Sequence, residues 1–263
     1  MEKANNLKRL RVKWKNQPDK LVEYARYLAD FAAACLEKSS AQGYVLGLSG
    51  GVDSALALAI LSSNPKFKTL GVFIDIESQP MDKSDAESLK QIYKFEYKYI
   101  NLTKEYKALV KALGIEKNEI AKGNLKVRLR TLTLYALAQT NNLLTIGTTN
   151  AAERLVGYYT KFGDNACDVA LLCYLNKAQI YYLADQYKVP RDIISRKPSA
   201  GLYEDQTDEK EMGITYREID HYLCYAYVDP IVDQKITTRY IANKHKLNAP
   251  IRPRKFIKYR NTK

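Results

Sequence analysis

A short apolar segment that runs into two consecutive glycines determines the local fold near the start of this chain. Residues Tyr44–Leu48 have the length and apolar character of a buried strand, and Ser49-Gly50-Gly51 follow as a sharp turn. Apolar residues then dominate Ser54–Leu61, which predicts a buried helix. A strand, a glycine turn and a helix in this order predict one βα unit of a layered α/β protein.

The same alternation of strands and helices continues along the chain. Apolar runs predict further strands at Thr69–Ile74, Tyr97–Leu102 and Leu143–Gly147. Helical patterns occupy, in chain order, Asp19–Leu36, Asp82–Tyr93, Lys104–Leu113, Asn124–Thr140, Asn176–Tyr187, Tyr216–Tyr225 and Ile236–Lys244. Continuous apolar strands between helices indicate an α/β fold, with a doubly wound parallel sheet flanked by helices and a helical C-terminal extension.

Two polar segments in the second half of the chain are predicted to be irregular. Gly157–Asn165 is polar and contains glycine, which favours a loop, and the longer Pro190–Gly213 predicts a lid or binding loop. No internal repeat or low-complexity linker divides the chain. Residues 1–263 are therefore predicted to form one domain, with basic tails at about 1–18 and 252–263.

The composition excludes several classes of protein. Hydrophobic residues make up 46% of the chain and charged residues 27%, as in ordinary globular proteins. No apolar run approaches the ~20 residues that span a bilayer. Four cysteines and two histidines without a CxxC pair disfavour a zinc site and favour a reducing cytoplasm. The net charge of +13 attracts nucleic acid, anionic membranes or phosphorylated small molecules, or simply reflects a solvated surface.

The glycine turn has the chemistry of an anion-binding site. Backbone N–H groups at Gly50 and Gly51 can close on an anion, Ser49 and Ser54 add hydroxyl donors, and the following helix directs its positive end there. Asp53 adds a carboxylate, which is compatible with bound phosphates when a divalent cation lies between them. The segment lacks the lysine of a Walker A motif. The alternative is a turn that only joins strand to helix.

The segment Ser49–Ser54, with the sequence SGGVDS, resembles the pyrophosphate loop of the N-type ATP pyrophosphatases. That family cleaves ATP between the α- and β-phosphates and transfers AMP to a substrate oxygen. Its members include GMP synthetase, argininosuccinate synthetase, tRNA-modifying enzymes and NAD synthetase, among which this loop alone does not discriminate. The resemblance implies an adenine nucleotide alpha hydrolase-like fold.

Later segments resemble the NAD synthetase branch of that family. They are Lys122–Arg130, Ile146–Glu153, Gly157–Asp164, Lys197–Ala200, Gln206–Glu209, Gly213–Asp220 and His245-Lys246 with Pro250. The resemblance runs in order from about residue 20 to residue 250. The glutamine-dependent members carry an additional N-terminal amidase of several hundred residues. The residues before the first predicted helix are too few for one, so the chain resembles the short, ammonia-dependent NAD(+) synthetases.

The resemblance implies a C–N ligase reaction. The carboxylate of deamido-NAD attacks the α-phosphorus of ATP, pyrophosphate leaves, and ammonia converts the acyl-adenylate to NAD and AMP. Mg²⁺ is the implied cofactor. The implied assembly is a homodimer with the substrate site at its interface, without a membrane and without nucleic acid. Two alternatives remain open: a tRNA-modifying ATP pyrophosphatase, and a non-catalytic nucleotide- or RNA-binding protein on the same fold.

The same resemblance implies roles for individual residues. Contacts to ATP are expected from Gly47, Leu48, Ser49, Gly50, Gly51, Val52, Asp53, Ser54, Thr148, Lys177 and Ser199. Contacts to deamido-NAD are expected from Arg128, Lys161, Asp168, His245 and Lys246. Asp53 and Glu153 are the expected Mg²⁺ ligands. Asp53, Lys177 and Asp164 are the expected catalytic residues, and Asp164 is expected to hold ammonium and accept its proton.

Overall fold

A computed structural model describes residues 18–66, 68–199, 207–225 and 229–248. The predicted basic tails, most of the segment between Ser199 and Asp208, and Pro250 lie outside these ranges. The described residues form one parallel sheet in the order β3-β2-β1-β4-β5. Its strands are β1 (Gly43–Gly47), β2 (Lys68–Asp75), β3 (Glu96–Asn101), β4 (Leu144–Gly147) and β5 (Val169–Ala170).

Helices cover both faces of this sheet, which confirms the predicted doubly wound α/β fold. In the first half of the chain they are α1 (Pro18–Glu37), α2 (Val52–Ser62), α3 (Pro80–Ser88), α4 (Thr103–Leu113) and α5 (Glu119–Asn141). In the second half they are α6 (Ala151–Val156), α7 (Lys177–Gln186), α8 (Arg191–Ser195), α9 (Asp208–Met212), α10 (Tyr216–Cys224) and α11 (Pro230–Leu247). A 3₁₀ turn, Leu89–Gln91, follows α3.

Alternate residues of β1 face different helices. Tyr44 and Leu46 belong to a core cluster with α1, α2 and α7, whereas Val45 packs with β2, α4 and α5 on the opposite face. A strand that is buried on both faces must be apolar throughout, as the sequence of β1 is. A third cluster joins α6, α9, α10 and α11 around Leu155 and Ile219, and this cluster forms the helical C-terminal extension.

Several element boundaries differ from the predictions because short or capped segments carry weak periodic signals. The two-residue strand β5 and the six-residue helix α6 were not predicted. Helix α5 begins at Glu119 rather than Asn124, because the Asn118 side chain caps it by accepting from Ala121 N at 3.0 Å. The segment Pro190–Gly213 was predicted to be irregular, but its described part contains α8 and α9.

The order of the strands locates the functional edge of the sheet. β1 lies at the centre of the sheet, with β2 on one side and β4 on the other. After β1 the chain continues to β2 and β3 on one side, and it then crosses to the opposite side of β1 to form β4. In open α/β sheets such a reversal opens a crevice at the carboxyl ends of the strands, where ligands bind. No helix formed by the described residues is both long and apolar enough to cross a membrane.

Candidate active site

The glycine turn lies at the carboxyl end of β1, inside this crevice. Gly47 ends the strand, Leu48 and Val52 are buried, and α2 begins at Val52 without a side-chain cap. Its first N–H groups can therefore serve an anion. Gly50 has φ +79°, and a Cβ there would lie 2.8 Å from the Cα of Asp82 in α3. Only glycine fits both this backbone and this close approach.

Hydrogen bonds of Ser49 and Ser54 stabilise the conformation of the turn. Ser54 Oγ accepts from the backbone N–H of Ser49 at 3.2 Å and donates to the Gly51 carbonyl at 3.0 Å. The two hydroxyl oxygens lie 3.2 Å apart, and Ser49 Oγ also accepts from the N–H of Gly51 at 3.3 Å. The turn is thus organised by hydrogen bonds of its own before any ligand binds.

Asp53 joins the turn to the other half of the molecule. Its Oδ1 accepts from Asn150 Nδ2 at 2.9 Å, and its Oδ2 lies 2.5 Å from Lys177 Nζ. Asn150 follows β4, and Lys177 opens α7, so three separate elements converge on one carboxylate. The Lys177 side chain is only 4% exposed. Burial alone would lower the pKa of Lys177, but the charges of Asp53 and Glu153 outweigh it and raise that pKa.

Glu153 lies in the first turn of α6, beside Asp53. Its Oε2 accepts from Asn150 N at 3.1 Å, and its Oε1 lies 3.5 Å from the Tyr216 hydroxyl oxygen. Burial and the nearby Asp53 charge raise the pKa of Glu153 to about 8, and Lys177 acts in the opposite direction. Two carboxylates held this close favour a cation between them.

The residues present fit Mg²⁺ in the way that phosphate-processing sites usually bind it. No three His, Cys, Asp or Glu side chains in the described part of the chain form a complete metal cage. Mg²⁺ commonly takes one or two carboxylates and completes its octahedron with substrate phosphates and water. The mutual repulsion of Asp53 and Glu153 is the feature that a divalent cation would relieve.

Besides Asn150, three residues of this cluster were given no role from the sequence: Asp208, Tyr216 and Asp220. Asp208 is buried and accepts from the Tyr216 hydroxyl at 2.8 Å, and burial raises its pKa. Asp220 accepts from the backbone N–H groups of Lys177 at 3.1 Å and Ala178 at 2.7 Å, which fixes the start of α7. These residues lie in motifs that the sequence singled out, but only the fold shows what they contact.

A second group of predicted residues lies beyond the end of β4, on the side of α11. Arg128 donates from Nε and Nη2 to the Lys161 carbonyl, at 3.3 Å each, and Lys161 Nζ lies 3.3 Å from His245 Nδ1. Lys246 Nζ donates to the carbonyls of Gly157 at 2.7 Å and Tyr159 at 2.9 Å. The fold thus brings α5, the Gly157–Asn165 loop and the end of α11 together as one basic surface.

A polar cavity of about 140 Å³ opens in this region. Its lining consists of Gly147, Thr149, Arg154, Tyr159, Asn165, Cys167, Ala170, Lys246 and Leu247. Three buried atoms along it, Arg154 Nε, Tyr159 Oη and Asn165 Oδ1, have no hydrogen-bond partner among the described residues. Buried polar groups are normally satisfied, so these atoms mark a place for a polar ligand or water.

Asp164 is connected to this cavity through Thr149, which lines it. Its Oδ1 accepts from Thr160 N at 2.7 Å, and its carbonyl accepts from the Thr149 hydroxyl at 3.3 Å. The surrounding protein desolvates the carboxylate and raises its pKa to about 6, even though part of the side chain remains exposed. A carboxyl group that titrates near neutrality can exchange a proton during catalysis.

The remaining predicted residues have different surroundings. Thr148 follows β4 directly and is half-buried in the crevice. Ser199 is the last described residue before a gap and follows Pro198, whose carbonyl accepts from Asp208 N at 3.2 Å. Asp168 Oδ2 accepts from Thr145 N at 2.7 Å and Thr145 Oγ1 at 2.8 Å, so this carboxylate fastens the segment before β5 to β4.

A glycine turn and an uncapped helix start lie at the reversal of a parallel sheet, with a buried lysine and two carboxylates beside them. This arrangement is typical of α/β proteins that bind nucleotides. Comparison with known proteins narrows this class. The model of the NAD synthase family matches residues 24–251. The chain belongs to the NAD synthase family.

Similar proteins cover nearly the full length of the chain. An NH(3)-dependent NAD(+) synthetase of Mycoplasma genitalium is 39% identical over 245 residues, which are 92% of this chain and 99% of that protein. An NMN synthetase from Francisella tularensis has a TM-score of 0.84 and 35% identity over 91% of this chain and 99% of its own. An NH3-dependent NAD synthetase from Campylobacter jejuni, solved with a nitrate ion, has a TM-score of 0.75 and 27% identity over 91% of this chain and 100% of its own.

Proposed function

We propose that this chain catalyses the ATP-dependent amidation of deamido-NAD with ammonia, giving NAD, AMP and pyrophosphate. The observation that carries the proposal is the convergence of Asp53, Lys177 and Glu153 beside a preformed glycine turn. The relatives named as NH(3)-dependent NAD(+) synthetases support it, since they are 36–39% identical over most of the chain.

ATP binds with its phosphates over the glycine turn and the start of α2. Ser49–Ser54, Thr148 and Ser199 surround the nucleotide, and Lys177 neutralises the charge that builds up on the departing pyrophosphate. Asp53 and Glu153 would hold Mg²⁺, which supplies charge neutralisation to the phosphates when it is bound. Lys177 suits this role because the neighbouring carboxylates keep it protonated.

Deamido-NAD binds along the basic surface formed by Arg128, Lys161, His245 and Lys246, with its nicotinate end toward the cavity beside Thr149. Cations suit a substrate that carries a diphosphate and a carboxylate. A carboxylate oxygen attacks the α-phosphorus, the bond between the α- and β-phosphates breaks, and pyrophosphate leaves. The acyl-adenylate then lies within reach of Asp164.

Ammonia completes the reaction. Its nitrogen attacks the acyl carbon, the bond from that carbon to the AMP oxygen breaks, and one proton of the nitrogen passes to the Asp164 carboxylate. The carboxylate form of Asp164 is the active one, and with a pKa of about 6 it predominates at neutral pH. Asp168 would contact deamido-NAD at the edge of the same site, with its Oδ2 held by Thr145.

We further propose that two copies of the chain form a homodimer with the deamido-NAD site at their interface. Helix α5 carries Arg128 and also exposes Ile120, Leu132 and Tyr135, with exposed fractions of 79%, 67% and 36%. Large apolar residues on one helix favour association. The four cysteines are free thiols, which suits a reducing cytoplasm as the place of the reaction.

A second acceptor, nicotinate mononucleotide, is favoured by one observation. The NMN synthetase of Francisella tularensis has a TM-score of 0.84 and 35% identity. Both acceptors present the same nicotinate carboxylate to ATP, so the chemistry on the nucleotide side is shared. The acceptors differ in the adenylate portion, which would lie over the basic surface of Lys161 and His245.

One assay tests the proposal. The purified protein receives ATP, Mg²⁺, ammonium chloride and either deamido-NAD or nicotinate mononucleotide, and amide product and pyrophosphate are followed together. Equal amounts of NAD and pyrophosphate, with faster turnover of deamido-NAD and no product from glutamine, are expected. Faster turnover of nicotinate mononucleotide would identify the mononucleotide, rather than deamido-NAD, as the acceptor. Neither product would overturn the proposal in favour of the tRNA-modifying or non-catalytic alternatives.

A further inference from the structure

An ionic link joins two segments that flank the glycine turn. Arg196, directly after α8, donates from Nη1 to Asp82 Oδ1 at 2.7 Å and from Nη2 to the carboxylate of Asp85. The side chains of Arg196, Asp82 and Asp85 are 25%, 21% and 13% exposed. One guanidinium thus engages two partly buried carboxylates of α3, a stronger arrangement than an exposed ion pair.

The carboxylate side of this link is fixed against the nucleotide loop. Asp82 lies in the first turn of α3, where its side chain also accepts from Gln79 N at 3.2 Å, and its backbone touches the position that a Cβ of Gly50 would need. The segment before α3 is held by Arg130, which donates to the Ile74 carbonyl at 3.2 Å and to Ser78 Oγ at 3.3 Å. The anchor of Arg196 is therefore part of the wall behind the glycine turn.

The arginine side of the link leads to the opposite wall of the site. Two residues after Arg196, the Pro198 carbonyl accepts from Asp208 N at 3.2 Å, and Asp208 is bonded to Tyr216 next to Glu153. The four residues from Arg196 to Ser199 therefore run from α3 to the carboxylate cluster. Ser199, an expected ATP contact, lies at the end of this short span.

We infer that Arg196 is a positioning residue for ATP: through Asp82 and Asp85 it holds the Arg196–Ser199 segment against the glycine turn, so that this wall is in place before the nucleotide binds. This inference rests on the proposed function. Arg196 acts through the carboxylates of α3 rather than through the substrate. Without it, binding of ATP has to order the segment, and that ordering costs affinity.

Breaking the ion pairs of Arg196 with Asp82 and Asp85 is energetically unfavourable. Burial raises the pKa of Asp82 and of Asp85 even though Arg196 acts against the shift. Removal of Arg196 leaves two partly buried carboxylates without their cation, and the segment loses its attachment to α3. Loss of Arg196 should therefore weaken ATP binding, and this weakening should depend on the Asp85 carboxylate.

The test compares Arg196→Met with Arg191→Met. Arg191 begins the short helix α8, which ends just before Arg196, and it forms a 3.0 Å ion pair with Asp185, but its side chain is 84% exposed. Calorimetric binding of a non-hydrolysable ATP analogue with Mg²⁺ should weaken at least about tenfold in Arg196→Met and less than about twofold in Arg191→Met. KM for ATP should rise in parallel, while kcat stays within about twofold of the wild type.

Asp85→Asn and the double variant with Arg196→Met identify the route of the effect. The double variant should bind the analogue no more weakly than Arg196→Met alone, because both changes break one link. Circular dichroism and thermal melting confirm that each variant is folded. Equal analogue affinity in Arg196→Met and Arg191→Met, or losses that multiply in the double variant, would overturn the inference. The binding readout needs no acceptor, so it is independent of whether deamido-NAD is the substrate.

Discussion

The ammonium group of Lys177 is a buried positive charge beside the predicted phosphate site. It lies 2.5 Å from Asp53 Oδ2, and the Lys177 side chain is only 4% exposed.

 The charges of Asp53 and Glu153 raise the pKa of Lys177, so this buried ammonium group stays protonated. A fixed, desolvated cation of this kind stabilises developing negative charge more strongly than a solvated one.

Replacement of Lys177 by methionine should remove that stabilisation. We expect kcat for pyrophosphate release to fall by about 10²–10³-fold, the size typical of a lost electrostatic contact to a transition state. Lys111→Met, a change at an exposed lysine in the last turn of α4, should leave kcat unchanged. Steady-state pyrophosphate release measures both variants. A Lys177→Met enzyme with wild-type kcat would contradict the role of this lysine.

The raised pKa of Asp164 predicts a pH dependence. Because the folded-state pKa of about 6 exceeds that of a free aspartate, the carboxylate is lost as pH falls through about 6, and with it the proton acceptor for ammonia. At a fixed concentration of NH₃, kcat/KM for ammonia should fall below this pH in the wild type. The acidic limb should disappear in Asp164→Asn, whose overall rate is low. An unchanged profile in this variant would assign the titration to another group.

The functional residues lie at the ends of secondary-structure elements rather than in the middle of them. The glycine turn follows β1, Asn150 follows β4, and Lys177 starts α7, so each functional group occurs where an element begins or ends. The turn itself could be predicted from sequence, because two glycines after an apolar run carry a local signal. Helix α6 could not, since six residues show too little periodicity.

Contacts between distant elements explain what the sequence left undetermined. Asn150 reaches Asp53 across 97 positions in the chain, and Asp220 fixes Lys177 across 43. Neither separation has a local pattern, so only the arrangement of strands in the sheet reveals these contacts. The prediction of the basic residues on α5, on α11 and in the Gly157–Asn165 loop rested on resemblance to known motifs. The fold brings Arg128, Lys161 and His245 together.

The glycine turn offers a test at the level of one element. Gly50→Ala places a Cβ at φ +79° and 2.8 Å from the backbone of α3, so the turn must shift and ATP affinity should fall by about tenfold or more. Gly114→Ala is the matched control: its φ is +63°, but nothing lies within 4 Å of the new Cβ. The left-handed backbone alone should cost each variant about 1–2 kcal/mol of stability, and the contact with Asp82 adds to this cost in Gly50→Ala only.

Nucleotide binding and thermal unfolding, measured on both variants, separate strain from function. Loss of ATP affinity in Gly50→Ala alone is the expected pattern. If Gly114→Ala weakens ATP binding equally, general destabilisation rather than the shape of the turn controls affinity.

The assembled protein is predicted to be a dimer in which α5 supplies both apolar contacts and substrate contacts. Light scattering should give twice the 30.0 kDa of one chain. Leu132→Glu, at a residue that is 67% exposed on α5, should shift the mass toward one chain and raise KM for deamido-NAD by at least about tenfold. Leu113→Glu, at a 59% exposed position on α4, should change neither. A Leu132→Glu protein that remains dimeric with normal KM would place the interface elsewhere.

Transfer of oxygen between the two substrates provides the sharpest test of the proposed chemistry. Deamido-NAD labelled with ¹⁸O in its nicotinate carboxylate is converted with ATP, Mg²⁺ and ammonia, and the AMP is analysed by mass spectrometry. Because the carboxylate attacks the α-phosphorus and ammonia later breaks the bond between carbon and oxygen, AMP should carry one labelled oxygen. Unlabelled AMP formed together with NAD would contradict an acyl-adenylate and require a different activation of the carboxylate.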